Sequence, residues 1–154
     1  MKTSTKSFLL SLTLITSPQT LANDDFTFGL GVGSLYSGVG INAGIQSKVD
    51  LKYISAGCVS YTSQEATCGM GIGWVKTDLF DFQTPNHGAS IYIGVIGSEL
   101  DYDGYQAVYG AGLGYHYFFN GIGNSGLNLG LTVLSGNGDY GRLTGAMLQI
   151  GYQF

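Results

Sequence analysis

The chain has 154 residues, a length that suits one domain. Charged residues make up 10% against about 25% in ordinary soluble domains, and 26 glycines against 2 prolines leave a chain too apolar for a comfortable aqueous surface and too glycine-rich for helices. Six Lys and Arg against ten Asp and Glu, a formal charge of -4, supply no basic patch for nucleic acid, while 11 Tyr and 8 Phe do not fit a disordered chain.

The first segment has three parts. Lys2 and Lys6 form a positive start, Phe8 to Ile15 is a short apolar run, and Thr20-Leu21-Ala22 ends in a small residue before Asn23-Asp24-Asp25. This layout predicts a secretory signal peptide over 1-22, cleaved from a domain over 23-154. The apolar run falls short of the roughly 20 residues a spanning helix needs. No cysteine follows it as a lipidation site would require. In the remaining 132 residues four bases face ten acids, a net charge of -6. No later stretch is apolar over 18 residues, so no transmembrane helix is expected.

From residue 26 onward the pattern alternates with period two. Phe26, Phe28, Leu30 and Val32 are separated by Thr27, Gly29 and Gly31. Met70, Ile72 and Trp74 alternate with Gly69, Gly71 and Gly73, and Leu127, Leu129, Leu131 and Val133 with Asn128, Gly130 and Thr132. The alternation predicts eight strands, over 24-35, 39-47, 51-61, 67-76, 88-98, 104-118, 126-135 and 143-154. At about 16 residues per strand and connection, this suits membrane-crossing strands of about 9-11 residues with short links.

The two faces of these strands differ in a telling way. One is bulky and apolar; the other is Gly, Ser, Thr, Asn and Gln with almost no charge. A soluble sandwich puts a polar, often charged face toward water, and a solvated wall of glycine would be unusual. The inverse arrangement is consistent: large side chains meet lipid, and small ones line a narrow interior where ring-shaped neighbours find room. The expected fold is all-β, a closed antiparallel up-and-down transmembrane β-barrel of eight strands. Closure removes the free edges that hydrocarbon does not tolerate. Tyr105 and Tyr115 share a face ten residues apart, as do Phe26 and Tyr36. At strand rise and barrel tilt that spacing is roughly 25 Å along the membrane normal. With Trp74, these residues are expected in the aromatic girdles. External loops are expected near 36-38, 60-67, 98-104 and 136-142, and short turns near 48-50, 77-87 and 119-125, the second of them unusually long.

The last strand sets Leu148, Ile150, Tyr152 and Phe154 on one face and ends on the aromatic residue. It resembles the terminal strand of Gram-negative outer-membrane barrels, and the size is similar to the small eight-stranded barrels of the adhesion and invasion type. The resemblance implies an outer-membrane location after export to the periplasm. It also implies recognition of the last strand by the barrel-assembly machinery, and contact with outer-membrane lipid and lipopolysaccharide.

Candidate chemistry is sparse. Cys58 and Cys68, the two cysteines, flank one hairpin loop and are expected to form a disulfide in an oxidising compartment. His116 has the parity of the interior. His116-Tyr117-Phe118-Phe119-Asn120-Gly121 is loosely similar to the His-Tyr-Ser-Asn-Ala-Gly region of lipid A deacylase barrels, but Phe118 stands where that family has its nucleophilic serine. His87 and Ser90 are read as too loosely placed to replace it. Glu99, Asp101 and Asp103 form an acidic loop without the later ligands of a calcium site. Gly29-x-Gly31-x-Gly33 runs along a strand with no helix after it, so it is not a nucleotide fingerprint. No cofactor or metal is expected. The expected role is structural or interactive, through the external loops and a surface ligand the sequence does not name. A lipid-modifying enzyme using His116 and a narrow channel are the alternatives, although eight strands leave an interior just filled by side chains.

Overall fold

The computed structural model describes residues 25-63, 65-79, 84-102 and 104-154. The expected signal peptide, Asp103 and residues 80-83 of the expected turn 77-87 lie outside them. Eight strands run in chain order: β1 (Asp25–Gly33), β2 (Gly38–Gln46), β3 (Asp50–Tyr61), β4 (Ala66–Lys76), β5 (His87–Asp101), β6 (Gly104–Phe118), β7 (Gly126–Gly138) and β8 (Gly141–Gln153). Each pairs antiparallel with the next, and β8 pairs back onto β1, closing an all-β up-and-down barrel. No helix is long and apolar enough to cross a membrane, which says nothing against crossing by strands.

Alternation in the sequence becomes alternation across the wall. Leu30, Ile72, Leu113 and Leu129 all point outward, Leu113 at 69% exposure. The other parity faces the lumen. There Thr27, Asn42, Ser55, Ser90, Asn128, Thr132, Gln149 and Gln153 are buried, and no Asp, Glu, Lys or Arg is buried among the described residues. A lumen without charge avoids the large desolvation cost of an unpaired ion.

The luminal glycines make room for rings. Gly31 and Gly151 lie against Tyr36, Gly71 and Gly94 against Tyr92, and Gly73 against Tyr53. All three tyrosines are buried, with Leu35, Leu51, Val75, Val108, Phe118, Ile122 and Leu134 in the same cluster. Each ring replaces the volume of the missing side chains opposite it and restores interior packing density.

One expected position is corrected. Tyr36 does not belong to an aromatic girdle, and 36-38 is not an external loop. β1 ends at Gly33, where φ is +117°, a 3-10 turn follows over Ser34–Tyr36, and Ser37 takes a left-handed conformation before Gly38 at φ +98°. Glycine adopts these positive values without a Cβ penalty. The chain therefore dives inward at the rim and leaves Ser34, Leu35, Tyr36 and Ser37 fully buried. Parity counting fails there because it holds only while the chain remains a strand.

The remaining hairpins reach further than expected at the same end. β5 and β6 pair up to Asp101↔Gly104, and β7 and β8 up to Gly138↔Gly141, so the expected loops 98-104 and 136-142 shrink to tight turns. A bulge between Val95 and Gly97 buries both Val95 and Ile96. At the opposite end the turn after β6 folds under the barrel. The Ile122 N–H donates to the Pro85 carbonyl at 3.0 Å, the Ile122 side chain is buried, and Gly123 lies against Ser47 and Lys48.

Candidate functional site

Three regions hold the residues singled out by the sequence: the lumen, the outward aromatics at the turn end and the hairpins at the opposite end.

In the lumen, the inward dive is fastened by a chain of neutral hydrogen bonds. The Leu35 N–H donates to Gln149 Oε1 at 3.1 Å, and Ser34 Oγ lies 2.7 Å from Thr132 Oγ1. Gln149 Nε2 and Tyr36 OH both donate to Asn128 Oδ1, at 3.0 and 3.2 Å. Ser37 Oγ contacts Ser55 Oγ at 2.7 Å and Tyr92 OH at 3.0 Å, and Tyr92 OH donates to the Val95 carbonyl at 3.0 Å. Lower down, Gln153 Nε2 donates to Thr27 Oγ1 and Asn42 Oδ1, tying the last strand to β1 and β2. Every member is buried, so each bond replaces water that cannot reach it.

Ser90 and His116 are closer than the sequence reading held. Ser90 lies on β5 and His116 on β6, in diagonally adjacent register. Ser90 Oγ sits 2.7 Å from His116 Nε2, and both residues are buried. The other ring nitrogen, Nδ1, has no hydrogen-bond partner and faces Gly130. Among the described residues no carboxylate orients the ring, and no cluster of His, Cys, Asp and Glu is arranged to hold a metal ion. A serine–histidine contact is the first element of an activated nucleophile. Here it lies inside a filled lumen. His87 sits apart, outside, with its ring against Tyr115 and Tyr117.

At the turn end the outward aromatics gather. Phe26, Trp74 and Tyr115 are exposed there, and Tyr105 is exposed near the tip of the third outer hairpin. Trp74 Nε1 donates to Asp50 Oδ2 at 3.3 Å, and Lys76 lies 6.0 Å from its ring centre. Leu148, Ile150, Tyr152 and Phe154 all face outward. Phe154 stacks on Phe28 at 4.7 Å, and its N–H donates to the Phe28 carbonyl at 2.8 Å. The C-terminal aromatic thus completes the seam between the first and last strands.

On the outer hairpins, Cys58 and Cys68 form the disulfide across the paired residues of β3 and β4, just below a bulge at Cys58/Ser60. Carboxylates then tie the hairpins together. Glu65 Oε2 accepts the Tyr105 N–H at 3.1 Å, joining the second hairpin to the third. Glu99 Oε1 accepts the Asp139 N–H at 2.8 Å, and Gln106 Nε2 donates to Asp139 Oδ2 at 3.0 Å, joining the third to the fourth. Tyr140 OH donates to Asp101 Oδ1 at 3.1 Å. That bond, followed by desolvation and the negative charges of Asp101, Asp139 and Glu99, holds the Tyr140 pKa above its ordinary value. Within the acidic loop Glu99 thus accepts from the main chain and Asp101 from a tyrosine hydroxyl of the fourth hairpin, contacts that parity and spacing could not reveal.

The fold and these contacts define an eight-stranded closed antiparallel β-barrel with an intramolecular disulfide. Comparison with protein-family models, with characterised proteins and with solved structures finds no match to this chain.

Proposed function

We propose that this chain is an integral outer-membrane β-barrel with a structural or surface-interaction role carried by its outer hairpins. The observation that carries the reading is the outward face of all eight strands. It exposes Phe28, Leu30, Ile41, Ile54, Ile72, Ile93, Leu113, Leu131 and Ile150 around the whole circumference. Soluble monomers rarely expose apolar patches beyond a few hundred Å2, and hydrocarbon removes the cost of this belt. Closure with an uncharged interior supplies most of the second requirement of such a setting, satisfied backbone groups, the upper part of β8 being the exception. The C-terminal face of Leu148, Ile150, Tyr152 and Phe154 fits recognition by the barrel-assembly machinery. The outer hairpins, with Tyr61, Leu100, Tyr102 and Tyr140 exposed, would meet lipopolysaccharide or a surface ligand.

The reading is tested by expression with residues 1-22 intact, followed by fractionation and heat-dependent gel migration. The expected result is detergent-dependent extraction from outer membranes and a migration shift on boiling. Free solubility without detergent would overturn it.

Two other activities are separable. A channel needs a continuous path, and Tyr36, Tyr53, Tyr92, Phe118 and Ile122 fill the lumen; planar-bilayer conductance near background is expected. A lipid-modifying reading gains support from the Ser90–His116 contact, yet both side chains are buried; unchanged lipid A masses on expression of the Ser90→Ala variant against the native chain would dispose of it.

A further inference from the structure

β8 is longer than the strand that closes onto it. β1 stops at Gly33, and its pairing with β8 runs only from Gly29↔Gln153 to Val32↔Ile150. β8 continues upward through Leu148 to Gly141, paired with β7 on one side and with no strand on the other. From Gly141 to Ala146 every residue is exposed, including Leu143 and Gly145, whose parity faces the lumen. A side chain added at Gly145 would meet nothing within 4 Å. Directly inside lies a cavity of about 250 Å3, lined by Ile96, Leu134, Leu143, Gly145 and Met147 from the inner face and reaching Thr144 and Ala146 around the free edge. The upper part of β8 therefore has an unpaired edge beside this space.

The opening is largely apolar inside, with Ser98 and Thr144 as the polar side chains of its lining, and its outer lip is the same belt that faces outward elsewhere. Ala146 pairs with Val133 and Leu148 with Leu131, both members of the belt. Whatever covers the belt reaches the mouth of the cavity. The free edge adds a polar requirement. Phe154 sends its N–H toward β1, so with strand alternation the N–H and C=O groups of Leu148, Ala146 and Thr144 point into the gap. Such groups are tolerated at membrane depth only with a partner.

We propose that this opening admits one ester-linked acyl chain of a membrane lipid from the leaflet on the hairpin side. Its methylenes occupy the cavity between Ile96, Leu134, Leu143 and Met147, and its ester carbonyls accept from the free N–H groups of β8. Water entering from the hairpin end serves the free C=O groups. The size fits a single chain end, since pockets for whole drug-sized ligands start at about 300 Å3. The proposal rests on the membrane reading above.

The test uses tryptophan fluorescence in a Trp74→Phe background, which removes the one native tryptophan. Leu143→Trp reports the cavity, and Leu148→Trp reports the outer wall. Both are reconstituted in phosphatidylcholine vesicles with and without mid-chain dibrominated acyl chains, and the folded state is checked by heat-dependent migration. The expected result is a loss of Leu143→Trp fluorescence with brominated lipid comparable to that of Leu148→Trp, reduced when Gly145→Phe fills the space beside it. If only Leu148→Trp is quenched by lipid and Leu143→Trp is quenched by acrylamide, the cavity holds water and the proposal is overturned. If neither quencher reaches Leu143→Trp, protein covers the opening, and the proposal is equally overturned. If Leu148→Trp itself escapes lipid quenching, the membrane reading fails first. Should Leu143→Trp not fold, Met147→Trp reports the same space.

Discussion

The first and third hairpins at the open end leave the barrel in opposite directions. β1 and β2 are joined by a chain that turns inward and buries Leu35 and Tyr36, whereas β5 and β6 continue outward to a tip where Tyr102 is 100% exposed. The difference lies in what each connection finds opposite it. Tyr36 meets Gly31 and Gly151, two positions without side chains, and the amides of Asn128 and Gln149 accept and donate around it. The third hairpin places Glu99 and Gln106 on its inner side, and these reach across to the main chain and side chain of Asp139. An apolar ring with a vacant partner goes in; a carboxylate with an N–H available outside stays out.

The comparison is broken most severely by removing the ring. Tyr36→Ala leaves a cavity between Gly31 and Gly151 and costs about 3–5 kcal/mol, read by urea unfolding of the folded barrel in detergent through Trp74 emission. Tyr36→Phe keeps the ring and loses only the bonds to Asn128, about 1 kcal/mol. Tyr102→Ala at the third tip stays within about 0.5 kcal/mol. Similar losses for Tyr36→Ala and Tyr102→Ala would mean that the first connection is not held inside.

The entrance to the inward turn is the next point of attack. At Gly33 an alanine would take φ +117° and set its Cβ 2.6 Å from Gln149 Cβ, so Gly33→Ala is expected to cost about 1–3 kcal/mol. Gly141, at the tip of the fourth hairpin, has φ +134° with nothing within 4 Å. Gly141→Ala therefore carries the conformational strain without the crowding. A smaller loss for Gly141→Ala in the same unfolding measurement separates the two causes; equal losses would leave strain as the whole effect at Gly33.

These positions also mark where the sequence was readable. Period two holds along the wall segments outside the bulges at Val95–Gly97 and Cys58–Ser60, because a regular strand in a closed sheet has only two faces, and the glycine-against-ring argument finds its pairs in Tyr36, Tyr53 and Tyr92. It mistook Tyr36 for a girdle residue because a ten-residue spacing from Phe26 presumes an unbroken strand. The pair Gly33 and Gly38 bracketing Ser34-Leu35-Tyr36-Ser37 was the available signal for a turn. Ser90 and His116 could not be joined from sequence, since their contact depends on the register between β5 and β6. The same holds for Glu65 and Glu99, whose donors, the Tyr105 and Asp139 N–H groups, belong to neighbouring hairpins. The Cys58–Cys68 bridge was legible because both cysteines flank a single hairpin loop.

That bridge sharpens the comparison at the second hairpin, which reaches outward but carries a covalent tie. Replacing both cysteines with serine removes the constraint on a short loop and is expected to lower stability by on the order of 2–3 kcal/mol in the chain-entropy account. Unfolding of native chain with and without reductant, against the double variant, checks it: reductant should shift only the native chain. If the double variant matches the oxidised chain, the β3–β4 ladder alone fixes this hairpin.

The smallest expected effect is electrostatic and lies between the third and fourth tips. Neutral Tyr140 donates to the Asp101 carboxylate, whereas an ionised phenolate would lose that bond and face Asp101, Asp139 and Glu99. The folded pKa is therefore raised above the ordinary value of about 10. With a raised folded value, the contact favours the native state below the ordinary tyrosine range and that contribution is lost as pH climbs through the raised value. Tyr140 is fully exposed, so solvent screens the contact and the expected readout is a titration shift, not a change in global stability. The phenolate absorbance lost in Tyr140→Phe should arise above the ordinary tyrosine range in the native chain. Asp101→Asn should move it downward in the same titration. Ionisation of Tyr140 at the ordinary value in the native chain would show that the third and fourth tips do not touch.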